Sequence, residues 1–176
     1  MPVTKSRRAR PLVAAVTGLA LASAVAVATA APASAAPASH GRPDFTLPVL
    51  PAGQACAGFD VLLAGTGDKR AIKQHDNGVL IEAGNGWDLT FTNLSNGHSI
   101  TLLSNGSVNK SRTTDNITTF QATGKNVLIL FPTDVPAGPT STLYTGRLVY
   151  TVDNTTGVFT VVSSSGRTTD LCALVA

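Results

Sequence analysis

Two cysteines, Cys56 and Cys172, are the residues of this 176-residue chain whose chemistry is best defined. They are its only cysteines, and an even cysteine count in an exported chain is typical of a disulfide. The alternatives are a reactive thiol or a metal site, but neither a Cys-x-x-Cys motif nor clustered histidines accompany them. We therefore predict one intramolecular bridge, and in the chain-entropy model so long a loop stabilises the fold by about 4–5 kcal/mol.

Three polar residues in turn-like segments are candidates for a binding or catalytic site. Asp134 lies between two prolines in "FPTDVPAGP", a loop stiff enough to hold a carboxylate still. His75 precedes Asp76 in "KQHDNG", and such a pair can serve as a general base or a metal ligand. Asp60 precedes the apolar run "VLL". However, an aspartate in a turn more often accepts a hydrogen bond from nearby backbone, so no residue is predicted to be catalytic.

Motifs that would name a reaction are missing from the sequence. It has no G-x-S-x-G elbow, no H-E-x-x-H, no phosphate-binding glycine loop and no loop with alternating acidic calcium ligands. A glycosidase needs two carboxylates that converge across a cleft, and the sequence does not single out such a pair. We predict no cofactor and no metal ion.

The N-terminal 35 residues have the pattern of a secretory signal peptide. A basic start, "KSRRAR", is followed by an uncharged Ala/Val/Leu-rich run and then by small residues. The best cleavage motif is Ala33-Ser34-Ala35, which places the mature N-terminus at Ala36. The alternative is a membrane anchor, since the apolar run is nearly long enough to span. The cleavage motif favours export, and we predict a secreted, extracellular protein.

Removal of residues 1–35 changes the charge balance. The whole chain has 13 Lys and Arg against 10 Asp and Glu, hence +3. Four of the basic residues lie in the predicted signal, so nine remain against ten and the mature net charge is −1. This balance gives no electrostatic reason to expect nucleic acid or an anionic membrane as a partner.

The mature chain divides into a leader and one domain. Residues 36–54 contain four prolines, which forbid a helix and favour extended chain. Residues 55–176 have the size of a single domain. Their short alternating or apolar runs are separated by Gly, Asn, Asp and Pro, which predicts an all-β fold. We expect an antiparallel sandwich or small barrel of about eight to ten strands, its ends joined by the disulfide.

Two hairpins are predicted in detail. "WDLTFTN" alternates cleanly, and Asn96-Gly97 after it is the preferred pair for a two-residue type I′ turn. That turn would set the following pairs: Phe91 with Leu102, Asn93 with Ile100, and Leu89 with Ser104. Asn105-Gly106 would turn the chain again and place Leu103 opposite Val108.

The C-terminal half predicts the centre of the sheet. "VLILF" (127–131) is apolar on both faces, as a central strand would be, and the three prolines of "FPTDVPAGP" then take the chain out of the sheet. "LYTGRLVYTV" and "VFTVVS" form the last hairpin around "DNTTG", with Tyr144, Leu148, Tyr150 and Val152 on one face.

Several segments resemble a group of small secreted actinobacterial proteins to which no activity is assigned. They are "CAGFDVLL", "LTFTNLSNG", "VLILFPTDVPAGPTSTLYTGRLVYTVD" and "TTDLCALVA", and the resemblance spans essentially the whole domain between residues 56 and 172. The resemblance implies export, the cysteine pair and a bacterial origin. It implies no catalytic residue.

Three functions are compatible with these observations. We favour a non-enzymatic extracellular binding or structural module, whose unknown ligand or protein partner would meet an aromatic or apolar surface near Trp87, Tyr144 or Tyr150. The second is a secreted hydrolase or isomerase with a loop-borne site made of Asp134, His75 and Asp60. The third is a carrier of a small apolar ligand, which requires a cavity.

Overall fold

The computed structural model describes residues 42–103 and 107–176, and the predicted signal peptide lies outside these residues. The described chain is nearly all β, with antiparallel pairing between its strands and one short helix at the end. This confirms the predicted all-β class and strand number. The elements are β1 (Phe45–Thr46), β2 (Val61–Thr66), β3 (Lys69–Gln74), β4 (Val79–Asn85), β5 (Asp88–Asn93), β6 (Ser99–Leu102), β7 (Ser107–Thr114), β8 (Ile117–Leu130), β9 (Thr140–Asp153), β10 (Phe159–Asp170) and α1 (Leu171–Val175).

The smaller sheet has four strands in the order β1-β2-β5-β6. Alternate side chains of β2 and β5 point inward, and Val61 and Phe91 are fully buried. Because successive strand residues point to opposite faces, this alternation leaves a half-buried sheet. Its inner face packs against Val127, Ile129 and Leu143 of the larger sheet. The two sheets therefore share a core. This arrangement corresponds to a sandwich, which is one of the two predicted alternatives, and not to a small barrel.

The predicted register of the β5–β6 hairpin is wrong by two residues. The observed pairs are Leu89 with Leu102 and Phe91 with Ile100. A type I′ turn needs positive φ at both central residues, whereas of the Asn96-Gly97 pair only Gly97 has it, at 77°. The loop has four residues and is closed by Asn93 N–H donating to the His98 carbonyl at 2.9 Å. Because the slip is an even number, the apolar residues stay on the predicted inner face.

The larger sheet has six strands in the order β10-β9-β8-β7-β4-β3. β8, which contains most of "VLILF", lies inside it as predicted, and β9 and β10 form the predicted last hairpin. The predicted pairing of Leu103 with Val108 is wrong, since Val108 pairs with Ala83 and Thr123. The Asn105-Gly106 pair itself lies outside the described residues. The turn from β7 to β8 is Asp115-Asn116, both with positive φ (48° and 65°).

Three glycines stand side by side across β8, β9 and β10. Gly124 pairs with Gly146, and Gly146 pairs with Gly166. Their φ values of 85°, 140° and 104° lie in the region that favours glycine. A Cβ at Gly146 would collide with the carbonyl oxygen of Ser165 in the neighbouring strand. We call these three residues the glycine row.

The long strands bend at the glycine row. Thr160 at the start of β10 is in register, through β9, with Thr119 of β8, about 10 Å away across the sheet. A straight strand would place Leu130 about 37 Å from Thr119. Yet Val135, soon after Leu130, forms a parallel bridge with Thr160. The segment from Leu130 to Val135 spans at most about 18 Å, which is too short to lead from the far end of a straight strand back to Thr160. The sheet must therefore fold back on itself.

A second core fills the inside of this bend. Leu128 and Leu130 from one half pack with Ala122 and Leu148, and Tyr150, Phe159 and Val161 adjoin them. β8 is therefore covered on both faces over 127–130, because its odd-numbered residues meet the four-stranded sheet. This double burial explains why "VLILF" lacks alternation.

The two ends of the described chain are fixed to the sandwich. Residues 45–50 of the predicted leader lie along β2, where Leu47 N–H donates to the Leu63 carbonyl at 2.9 Å and Leu50 bridges Val61. The predicted disulfide between Cys56 and Cys172 is confirmed, with Cα atoms 5.7 Å apart. The bridge indicates folding in an oxidising environment.

Helix α1 closes the structure at its last residues. The Asp170 carboxylate accepts the N–H groups of Cys172 (2.9 Å) and Ala173 (3.2 Å), which are the donors left unpaired at a helix start. At the other end, the Val175 carbonyl accepts the side-chain amides of Asn93 (3.0 Å) and Asn96 (3.1 Å). The C-terminus is therefore bonded to the β5–β6 hairpin.

Candidate functional site

Trp87, the one tryptophan of the chain, is held in place from several sides. It lies between β4 and β5, and its indole Nε1–H donates to the Pro43 carbonyl at 3.2 Å. The Phe45 ring meets it edge-on, with centroids 4.9 Å apart. The guanidinium groups of Arg70 and Arg42 lie 4.8 and 5.3 Å from its ring centroid, within the range of cation–π attraction. The indole is therefore a fixed surface.

The two arginines beside Trp87 are neutralised by two carboxylates. Arg70 is buried and donates from Nε and Nη2 to the Asp68 carboxylate, the shorter bond being 2.6 Å. Its Nη1 lies 3.7 Å from Glu82, which also pairs with Arg42. Burial alone would raise the pKa of Asp68, but the hydrogen bonds from Arg70 outweigh it and hold that pKa below its usual range. The cluster supports the indole and adds no net charge.

A row of aromatic rings lies inside the bend of the larger sheet. Phe120 and Tyr150 are stacked with centroids 4.8 Å apart, and Tyr150 is 6.0 Å from Phe159. Burial raises the pKa of Tyr150, so its phenol stays neutral at physiological pH. The row presents ring faces and no charge.

Trp87 and this aromatic row meet at an apolar cleft of about 370 Å³, which is open on one side. One wall comes from the N-terminal segment, the four-stranded sheet and the residue before β5: Phe45, Leu47, Leu50, Leu63, Trp87 and Leu89. The other wall comes from the larger sheet and the residue after β8: Val127, Leu128, Ile129, Phe131, Tyr150 and Phe159. We call this space the apolar cleft.

The apolar cleft can bind but has no groups for acid–base chemistry. Its walls carry two polar side-chain atoms, the Tyr150 hydroxyl and the Trp87 N–H, and the latter is occupied by Pro43. Ligand pockets in proteins usually have volumes of about 300–1,000 Å³ and mainly hydrophobic walls. The cleft meets both criteria.

The three predicted polar residues lie in three different loops. His75 stands in the β3–β4 turn, where its backbone bonds to Val79 and Gly78. Asp60 is exposed before β2, and its carboxylate accepts the Ala52 N–H at 2.8 Å. In the part of the chain that the structure describes, no hydrogen bond or ion pair joins any two of His75, Asp60 and Asp134.

The Asp134 carboxylate is buried and is bonded to backbone. It is 4% exposed, and its two carboxylate oxygens accept the N–H groups of Phe131 (2.6 Å) and Phe159 (2.8 Å). These bonds join the loop after β8 to the start of β10. The carboxylate is therefore used to close the bend, as the turn-bond alternative for an aspartate in such a loop predicts.

Within residues 42–103 and 107–176, no group of three or more His, Cys, Asp or Glu side chains could hold a metal ion. No helix in those ranges has the length and hydrophobicity needed to cross a membrane. No protein-family model, curated protein or solved structure matches this chain.

The sequence indicated Trp87 and Tyr150 as candidates for a binding surface, but it did not indicate the arginine and phenylalanine side chains that contact them. One feature of the sequence could have indicated the support at Arg70. Lys69 and Lys73 lie on one face of β3 and Arg70 lies on the other, which is the buried side. A buried arginine requires a carboxylate partner, and Asp68 stands two residues away. The cleft itself has no signal in the sequence, since it depends on the bend.

Proposed function

We propose that this chain is an exported, non-enzymatic binding module whose ligand is a small apolar molecule held in the apolar cleft. The observation that carries the proposal is the cleft of about 370 Å³, in which ten aliphatic or phenyl side chains join Trp87 and Tyr150. Export is supported by the signal pattern of residues 1–35, the disulfide, and the resemblance to secreted bacterial proteins.

A small molecule is the occupant that the shape favours. The cleft is bounded by Leu47 and Leu50 on one side and by Phe131 and Phe159 on the other, and its volume of about 370 Å³ suits a small ligand. Its rigid rings stabilise a ligand by burial, at about 0.8 kcal/mol for each CH₂ group removed from water. The ligand should thus be selected by apolar length and volume.

An enzymatic role has less support. Asp134 is occupied by two backbone N–H groups, and Asp60 by one. A general base must be within hydrogen-bond reach of a reacting group in a concave site, and none of the three predicted polar residues lines the apolar cleft.

Trp87 provides a direct test, because the single indole lies in the cleft wall. The mature, disulfide-bonded protein is titrated with uncharged n-alkanols of increasing length while tryptophan emission is recorded. We expect the dissociation constant to fall by up to about fourfold per CH₂ group until the cleft is full, and then to level off. No response along the series would contradict the proposal.

Two variants in the same segment give a matched control. Leu47 lines the cleft at 37% exposure, whereas Val49, at 46%, does not line it. Leu47→Arg should weaken alkanol binding at least tenfold because it introduces a charge beside the ligand, and Val49→Arg should leave it unchanged. Equal effects of both changes would show that binding occurs elsewhere. Recovery of the alkanol unaltered, by mass spectrometry, separates binding from turnover.

Export is tested by the mass of the protein in the culture supernatant. We expect a chain that begins at Ala36 and is two hydrogen atoms lighter than the fully reduced form. A chain that retains residues 1–35 would contradict the signal-peptide prediction.

A further inference from the structure

The nine Lys and Arg residues that follow the predicted signal are distributed unevenly over the fold. Arg42 and Arg70 pair with Glu82 and Asp68 beside Trp87. The other seven are exposed and belong to strands of the six-stranded sheet: Lys69, Lys73, Lys110, Arg112, Lys125, Arg147 and Arg167. A net charge near zero therefore conceals a strong local asymmetry.

Four of these cations stand close together on one face of the larger sheet, and Lys69, on the same face of β3, lies four residues away from Lys73. Lys73 pairs with Ile81, which in turn pairs with Lys110, so the two lysines stand two strands apart in one row, about 10 Å from each other. Arg112 follows Lys110 by two residues and shares its face, about 7 Å away. We call Lys73, Lys110, Arg112 and Arg147 the basic face.

Arg147 joins this face through β8. Lys110 pairs with Gln121, Arg112 with Thr119, and Arg147 with Thr123. The three β8 residues have one parity, so all of these side chains point the same way. The opposite face of the same strands carries Phe120, Ala122, Leu148 and Tyr150, which form the inner core.

Among the described residues, no ion pair neutralises the charges of the basic face. None of the ion pairs in residues 42–103 and 107–176 involves Lys73, Lys110, Arg112 or Arg147, so no carboxylate lies within ion-pair distance of these four cations. The nearest acidic residues in the register are Asp76, Asp115 and Asp153, at the turns of one sheet end, and Asp153 accepts the N–H groups of Thr155 and Thr156. Like charges grouped this closely are unfavourable without a counter-charge.

The basic face also contains a groove of about 270 Å³. Lys110 and Arg112 line it together with hydroxyl and amide groups, among them Thr119 and Gln121. We propose that this groove and the surrounding basic face bind a linear acidic polysaccharide outside the cell, with carboxylates on the cations and sugar hydroxyls on the Thr and Gln side chains. Guanidinium and ammonium groups match carboxylates in charge and geometry.

Other polyanions fit the face less well. Single-stranded nucleic acid binds through aromatic side chains on which bases stack, and the residues in register on the basic face include no aromatic ring. Its apolar members include Val79, Ile81, Val108 and Val149, of which Val108 alone is exposed, so it lacks large apolar groups to insert into a lipid surface.

The test measures binding of the mature, disulfide-bonded protein to a polygalacturonate oligomer by titration calorimetry at several salt concentrations. We expect binding that weakens steeply with salt, since counterions are released. The Lys110→Gln/Arg112→Gln variant should bind about tenfold or more weakly, with a shallower salt dependence. The matched control, Lys69→Gln/Arg167→Gln, removes the same charge from residues that do not line the groove and should retain at least half the affinity. Circular dichroism verifies that both variants fold.

Comparison ligands decide the class of partner. A neutral dextran should not bind, and single-stranded DNA or anionic phospholipid vesicles at equal charge concentration should bind at least tenfold more weakly than polygalacturonate. Equal binding of all polyanions, or equal losses in both double variants, would overturn the proposal. Leu47→Arg, which blocks the apolar cleft, should leave polysaccharide binding unchanged, so this inference and the proposed function succeed or fail separately.

Discussion

The Asp134 carboxylate accepts the backbone N–H of Phe159 at 2.8 Å and thereby joins the two ends of the bent sheet. Its second oxygen accepts the Phe131 N–H at 2.6 Å. Asp134→Ala would leave both partly buried donors without this partner, and we expect the free energy of unfolding to fall by about 3 kcal/mol. Urea denaturation measures the loss.

Asp60→Ala is the control for this change. Asp60 is exposed and accepts one backbone N–H, so its replacement should cost about 1 kcal/mol or less. If the two variants were equally stable, the bond from the Phe159 N–H to Asp134 would contribute no more to the free energy of unfolding than the exposed bond of Asp60.

The buried pair of Asp68 and Arg70 should make stability depend on pH. Because Arg70 holds the pKa of Asp68 below its usual range, the pair stabilises the fold fully above the unfolded pKa of about 3.9 and less as the pH falls through the folded value. Arg70→Met leaves a buried carboxylate unpaired and should cost about 3–5 kcal/mol at pH 7. The cost should shrink towards pH 3, where Asp68 is protonated. Denaturation curves at several pH values follow the change.

Asp68→Asn/Arg70→Met supplies the comparison for this prediction. Removing the orphaned charge should recover part of the stability at pH 7 and abolish the extra pH dependence. A loss in Arg70→Met that is constant from pH 3 to pH 7 would rule out the unpaired carboxylate as its cause.

Gly146 should tolerate no side chain. Its φ of 140° and the Ser165 carbonyl next to it both oppose a Cβ, so Gly146→Ala should lower the unfolding free energy by about 3 kcal/mol or more. Gly157, with φ 75° and open space around it, is the control, and its change to Ala should cost about 1 kcal/mol. Thermal unfolding compares them, and the yield of folded protein reports a variant too unstable to purify. Equal losses would mean that the glycine row does not set the bend.

The sequence predicts those features that depend on neighbouring residues. Alternation places Phe91 inward and identifies the last hairpin, and the cysteine count identifies the bridge. It misplaces the β5–β6 register because Asn96 gives its amide to the Val175 carbonyl in a four-residue loop. The choice between loop lengths is thus made by a contact from the end of the chain.

Features that depend on the pairing of distant strands could not be predicted. Gly124, Gly146 and Gly166 form a row only once β8, β9 and β10 are in register. The apolar cleft needs the resulting bend, and the basic face needs the pairing of Lys73, Ile81 and Lys110. Along the chain, these residues are separate lysines and glycines with no common period.

Loss of the disulfide should destabilise the domain strongly. Cys56 and Cys172 are 116 positions apart, and freeing so long a loop should cost about 4–5 kcal/mol. Denaturation of Cys56→Ser/Cys172→Ser, compared with the oxidised protein, measures this loss. Wild-type protein treated with a reductant should approach the variant. A change below about 1 kcal/mol would show that the unfolded chain gains little freedom from the bridge.

The position of helix α1 also sets an order of events during biosynthesis. Cys172 supplies half of the bridge, and the Val175 carbonyl ties Asn93 and Asn96 to the end of the chain. Since a polypeptide grows from its N-terminus, these contacts cannot form until Cys172 and Val175 have been translated. The sandwich therefore gains its covalent closure only after the strands have been made, and a chain that stops before Cys172 cannot form the bridge.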